Sequence, residues 1–354
     1  MGALTQSFLM RVENNWRSIQ ENEYARLSSN LYWRQLAKEI PSQSGKEIIL
    51  WILSTMSIED VGVQGGNIPF DDLAQVLTTF ENRTRAAGLK LHRNQFEDAD
   101  GNGVALGAKW ASDSGAYMAY WPQKMVVQAL VDRGEDSGFL GFDSQPLFST
   151  SHPYNPFRTE LGTYANLFTS NTYAIDPSVT VDVAMDNLTN LLGQIRSIKM
   201  PNGIDPRFLG PTGFRLVVPP ALAQRAAILT SAKFIAQAAA TGGGSTDIEK
   251  MITYYGWRDP IVADELAPLP TDSSTVAGNK NKTYYVAVEQ METSQLGALV
   301  YVNREPFKVT YFTGQGGGTG VDAVLDRARE LEWHVQGRNV CGPGFPYLIF
   351  KNRP

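Results

Sequence analysis

Side chains of a type and spacing that could do chemistry gather at only a few places in this 354-residue chain. Ser149, Ser151 and His152 set two hydroxyls beside an imidazole, the pairing a nucleophile and its general base require. Neither serine has the flanking glycines of a nucleophile elbow, and no third member is forced. The stretch therefore reads as a turn before Pro153 in which these groups bond the backbone, with a serine hydrolase built on Ser151 and His152 as the competing reading. Asp98, Asp100, Gly101 and Asn102 imitate the first half of a calcium loop, but the twelfth position is Lys109, a cation where the bidentate glutamate belongs. An acidic turn is the better reading. Cys341 could act as a nucleophile with His334, yet Gly342, Pro343 and Gly344 beside it suggest a structural turn. The glycine triplets at 242–244 and 316–318 lack the lysine and strand context of a phosphate-binding loop. No catalytic, cofactor-binding or metal-binding residue is assigned.

Composition narrows the class further. Hydrophobic residues make up 43% and charged residues 19% of the chain, enough apolar surface for a folded protein. The longest apolar cluster, Ile48 to Leu53, is strand-sized and far short of the run of about 20 residues that crosses a bilayer. The first residues show no basic segment followed by an apolar core, so no secretory signal is read and synthesis in the cytoplasm is expected. Three histidines and one cysteine are few ligands for zinc, and one cysteine closes no intrachain disulfide. The formal net charge is -5 and the cations are scattered, so the basic stripe of a dedicated DNA binder is missing.

The elements that must position any site follow from periodicity. Phe8, Val12, Trp16 and Ile19 recur at helical steps between Gln6 and Glu21, and Glu47 to Thr55 reads as a buried strand. Gly62, Gly65 and Gly66 make a hinge-like loop. Beyond it, alternation in Val76, Thr78 and Phe80 and again in Leu89 and Leu91 predicts a long two-stranded hairpin whose turn carries Arg83 and Arg85. Its faces are weakly apolar, and an isolated hairpin is marginal in water, so it leans on a partner. Ala105 to Arg133 is the longest helical pattern, with Trp110, Tyr117, Trp121 and Met125 on one stripe, Pro122 as a kink or split, and Gly134 as the stop. A second helix spans Thr180 to Lys199, with Val183, Leu188, Leu191, Leu192 and Ile195 as its apolar side. Phe214 to Val218 is a buried strand, and Pro219-Pro220 opens a helix to Thr230. Strands are expected at Tyr284 to Val288, Ala298 to Val302 and Phe307 to Phe312, and in the closing piece through Leu331, Trp333, Val335 and Tyr347 to Phe350.

Two of these stretches, in their order and spacing, resemble the major head protein of Mu-like tailed bacteriophages. One is Phe142 to Pro153, FDSQPLFSTSHP, with its aspartate, bulky pair and His-Pro turn after the long helix. The other is Phe214 to Leu229, FRLVVPPALAQRAAIL. The resemblance covers roughly residues 45 to 235 and fades in the C-terminal third. It implies an α+β HK97-type capsid fold: an N-terminal arm at 1–66, an extended hairpin (E-loop) at 67–100, a spine helix at 101–134, a P-domain at 135–204 completed by strands at 326–354, and an A-domain at 205–325. It implies a major capsid protein, not an enzyme, self-assembling into hexamers and pentamers of an icosahedral head that encloses double-stranded DNA without reading its sequence. Partners would be further copies of the chain, a scaffolding protein, a portal and a decoration protein, with no membrane and no cofactor; the locale would be the virion after assembly in the bacterial cytoplasm. Phe8, Trp16, Glu81, Arg83 and Arg85 are then expected at intersubunit contacts, the last three as ion pairs at the hairpin tip, and Gly62, Gly65, Gly66 and Pro122 as hinges. Nothing resembles a long cleavable leader, so a virion protein near 39.0 kDa is expected. The alternatives are an encapsulin-like nanocompartment shell and the cytosolic serine hydrolase.

Overall fold

A computed structural model describes residues 6–54, 73–92, 94–97, 102–208, 213–231, 234–235, 246–247, 256–289, 297–311 and 330–353. Gly62, Gly65 and Gly66, residues 98–101 of the calcium-like turn and both glycine triplets lie outside them. In chain order the elements are α1 (Gln6–Ser28), β1 (Ala37–Pro41), β2 (Lys46–Ser54), β3 (Leu73–Glu81), β4 (Arg83–His92), the single turn α2 (Asn94–Glu97) and α3 (Asn102–Val131). There follow β5 (His152–Pro153), β6 (Thr163–Tyr164), β7 (Leu167–Phe168), α4 (Val181–Arg196), β8 (Gly213–Val218), α5 (Ala223–Ser231), β9 (Phe234–Ile235), β10 (Thr246–Asp247) and β11 (Ile261–Val262). The chain closes with α6 (Ser274–Lys282), β12 (Tyr284–Glu289), β13 (Leu299–Tyr311), β14 (Glu330–Pro343) and β15 (Ile349–Asn352).

The arm has more core of its own than its scattered apolar residues suggested. Helix α1 runs about two turns beyond Glu21, to Ser28, and packs along α3. Trp16 is fully buried there, edge-on to Trp333 at 4.8 Å and clustered with Leu91 and Ala111. Close approach is possible because α3 turns Gly103, Gly107, Ala111, Gly115 and Ala119 inward, a row of small residues spaced by four that forms a shallow groove. This corrects the aromatic stripe: Tyr117 is 62% exposed, and Trp110 and Trp121 are half-buried. Pro122 does not split the helix, which is continuous to Val131. Gly134 ends nothing by backbone freedom; it leaves room for the Phe148 ring.

The expected hairpin is also corrected. Only Asn82 separates β3 from β4, too little chain to turn one back on the other, and each finds a different partner. β3 pairs antiparallel with β2, Leu77 opposite Leu50 and Glu81 opposite Lys46. β4 pairs with β14, forming the edge of a four-stranded sheet of order β1-β13-β14-β4. One face of that sheet carries Trp333 and Val335 toward α1 and α3. The other carries Val300, Val302 and Val340 beneath Ile49, Trp51 and Phe80 of the β2–β3 ribbon.

A second sheet, of order β11-β8-β12-β15-β7, packs against α4 and forms the main core with the C-terminal half of α3. Thr180 caps α4 by accepting from the Val183 N–H, and Leu188, Leu191, Leu192 and Ile195 face inward while Val183 stays exposed. The two sheets do not follow the expected division of the chain. β7 and α4, placed in the P-domain by sequence, join the five-stranded body, as does β15; β13, placed in the A-domain, joins the four-stranded sheet. The polypeptide crosses between bodies at each end, which local patterns do not record.

Candidate functional site

The Ser-His stretch is a buried cross-brace. His152 is fully buried, with Nδ1 2.6 Å from Asp143 Oδ2 and Nε2 3.1 Å from Asn166 Oδ1. Asn166 Nδ2 donates to the carbonyls of Leu147, Pro346 and Ile349, which fixes Oδ1 as an acceptor. That oxygen also takes the Ser149 N–H at 2.9 Å. Nε2 therefore donates to Asn166, and Nδ1 is engaged by Asp143. Neither ring nitrogen is left to take a proton from a serine. Ser149 Oγ lies 3.4 Å from Gln145 Oε1 and accepts the Ser151 N–H, while Ser151 itself is exposed. The brace ties the 143–166 loops to the C-terminal segment. Sequence reading found His152 and quoted Asp143 beside it but missed Asn166, whose partners lie up to 183 residues away.

Cys341 is likewise not a nucleophile. It is buried on β14, where desolvation pushes its thiol up to about 12. His334 stands seven residues earlier on the same strand, hence on the opposite face. Among the described residues no group of three or more His, Cys, Asp or Glu could hold a metal, and no helix is long and apolar enough to cross a membrane.

A joint that sequence reading missed lies on the spine. Glu265 accepts the Tyr32 hydroxyl at 2.6 Å through one oxygen and the Gln123 amide at 2.5 Å through the other. Gln123 in turn accepts the Tyr32 N–H. Burial and then the carboxylate raise the Tyr32 hydroxyl far above its ordinary range, and the same two causes push Tyr120 up to about 12. One carboxylate thus pins the segment that follows α1, the C-terminal half of α3 and the Asp264–Leu266 turn beside β11.

The residues expected at assembly contacts fall in three groups. Trp16 is fully buried within the chain, so its expected place at a subunit boundary is corrected: the groove on α3 already takes it. Phe8 is 40% exposed. Glu81, Arg83 and Arg85 stand at the root of the ribbon and the start of β4, not at a hairpin tip, because the ribbon is β2–β3. Glu81 is paired within the chain to Lys46 at 2.7 Å on an exposed surface, and the Arg85 guanidinium lies 5.8 Å from the Trp121 ring. The ribbon covers the sheet with one face and turns Ile48, Leu50 and Leu77 outward on the other, at 60%, 45% and 65% exposure.

A ribbon standing on a strand layer, a long spine helix beneath that layer and a second compact sheet body are the parts of the HK97-type capsid fold. The structure is similar to a subunit in the mature capsid of bacteriophage PhiM1, with a TM-score of 0.50 and 12% identity, covering 91% of this chain and 86% of that one. It is also similar to the procapsid of bacteriophage JBD30, with a TM-score of 0.46 and 16% identity over 99% of this chain and 76% of that one. No curated protein matches the chain. Residues 11–181, from α1 to the first residue of α4, match the Mu-like prophage major head subunit gpT. This match to a family of major head subunits covers just under half of the chain, and together with the capsid fold it supports a major capsid protein that forms a phage shell.

Proposed function

We propose that the chain assembles as hexamers and pentamers into an icosahedral head around double-stranded DNA, with the β2–β3 ribbon as the extended loop that reaches a neighbouring subunit. The observation that carries this is the outer face of the ribbon. Leu50 and Leu77 sit directly opposite each other with Ile48 beside them, all turned to solvent in the single chain. A two-stranded ribbon has no second layer to hide such a face, and burying it on another copy supplies one. In this reading α1, α3 and the four-stranded sheet form the peripheral body, and the five-stranded sheet with α4, α5 and α6 forms the axial one. Phe8, Arg83 and Arg85 remain candidates for intersubunit contact. A net charge of -5 without a basic stripe suits a wall that lets DNA pack without gripping it. The partners are a scaffolding protein and a portal during assembly in the host cytoplasm, with a decoration protein on the finished shell. The subunit catalyses nothing.

Negative-stain microscopy of the protein expressed with its scaffold tests this reading. Closed shells that package DNA are expected. A small oligomer with esterase activity lost in His152→Ala would support the hydrolase instead, and sealed particles holding an enzyme would support the nanocompartment.

A further inference from the structure

Strand β4 is ten residues long and, among the described residues, is paired on one side only, by β14. Long open edges invite pairing with other chains and are usually blunted by short length, proline or a covering element. β4 is neither short nor interrupted by proline, no described element covers it, and its cations are its only guard; its middle is Ala86, Ala87 and Gly88, all exposed. Beside it lies an apolar cavity of about 510 Å³ between the sheet and α3, walled by Trp110, Tyr117, Trp121 and Phe307. Thr84, Arg85, Ala86 and Ala87 all line this cavity. The cavity therefore runs along the outermost strand of the sheet, beside its open edge.

Charge decides what fits there. Arg83 and Arg85 lie along the strand with Lys90, which pairs with Glu332 at 3.3 Å; Lys124 stands 5.2 Å from the Trp121 ring, the Arg85 Nε is buried without a hydrogen-bond partner, and the acidic lining residue Asp113 is held by Lys109 at 2.5 Å. Pairing two copies of β4 antiparallel about Ala87 and Gly88 would set Arg85 against Lys90. Pairing them parallel in register would set each cation beside itself. Like charges directly opposite are destabilising, so the cations along this edge favour a partner that brings carboxylates. We propose that the edge of β4 and its cavity form a docking groove for an extended acidic segment of another protein, which adds as a strand and lays every second, apolar side chain against Trp110, Tyr117 and Trp121. Main-chain bonds would give affinity, and the cavity and arginines the selectivity, as in other cases of strand addition.

The test is amide hydrogen exchange over residues 83–92, read by mass spectrometry on the full chain, both unassembled and in shells. The probe is a blocked eight-residue peptide alternating glutamate with leucine and valine; its control carries lysine for glutamate. The acidic peptide should slow exchange over 83–92 at least tenfold and the lysine peptide should not. Arg85→Glu should abolish the protection while circular dichroism stays unchanged. If that variant fails to fold, Ala87→Trp, which fills the cavity from an exposed position, should abolish it equally. Equal protection by both peptides, or by neither, overturns the proposal. So does strong protection of 83–92 in shells without peptide, since a second copy then covers the edge. None of these outcomes bears on whether shells form.

Discussion

Gly115→Ala should destabilise the subunit even though it replaces the poorest helix former but proline with the best. In an open helix interior this change contributes about 1 kcal/mol of stability. At position 115 the added Cβ would sit 3.1 Å from both the Cα and the carbonyl carbon of Gln20, and nearer still to its carbonyl oxygen. These are backbone atoms of α1, and no rotamer change moves them. Gln20 is further held by its amide, which donates to Ser114 Oγ at 2.8 Å and lies 3.3 Å from Met118 Sδ. The whole helix must shift, loosening Trp16 one turn away. Overpacking of this kind costs about 1–3 kcal/mol, toward the upper end where the neighbour cannot relax. Subtracting the propensity gain leaves a net loss of about 1–2 kcal/mol. Gly193→Ala is the internal control: it is exposed in the last turn of α4 with nothing within 4 Å of its added Cβ, and it should gain about 0.5–1 kcal/mol. The assay is the midpoint of denaturant unfolding of unassembled subunit, followed by tryptophan fluorescence. If Gly115→Ala raises the midpoint as Gly193→Ala does, the close α1–α3 crossing is wrong.

Three further outcomes follow from buried groups. Asn166→Ala leaves the carbonyls of Leu147, Pro346 and Ile349 and the Ser149 N–H without their partner, so unfolding should become easier by about 3 kcal/mol, measured by the same midpoint. Cys341 ionises near 9.0 when unfolded but only at about 12 when folded, so the stability it contributes is whole below pH 9 and declines as pH rises toward 12. Native protein at pH 8 should then resist a thiol reagent that labels it at once in denaturant, and Cys341→Ala should flatten the alkaline decline; rapid native labelling would refute the burial. Lys351 is 7% exposed and bound to Glu135 at 2.8 Å, so Glu135→Ala leaves a buried cation unpaired and should cost about 3 kcal/mol, with Lys351→Met in the same background restoring part of it.

What the sequence made legible is what local pattern encodes. The helix at α4, with its apolar spacing and threonine cap, and the strand, Pro-Pro and helix of β8 and α5 lie where periodicity placed them, because each buries one face against a neighbour. Ala298–Val302 and Phe307–Phe312 were read as two strands and are one, β13, joined through irregular pairing at Asn303, Glu305 and Lys308. What was not legible is pairing over distance. Val76 to Leu91 alternates as two strands should, but alternation names a face and never a partner. The apolar run Ile48–Leu53 held the answer, since its inner residues needed a sheet to cover and its outer ones a strand beside them. On α3 the signal was present in another form: aromatic residues at helical steps drew the eye, while the small ones at 103, 107, 111, 115 and 119 marked the packed face.

The same logic explains where assembly surfaces lie in this subunit. Several large groups find their partners inside the chain: Trp16 in its groove, His152 with Asp143 and Asn166, and Tyr32 with Glu265. The ribbon's outer face and the β4 edge are left over, one apolar and one basic, on opposite sides of the same four-stranded layer. A monomer gains nothing from either. A shell can use both, because the apolar face can bury against a copy that approaches, whereas the cations of the edge suit the acidic partner proposed for it.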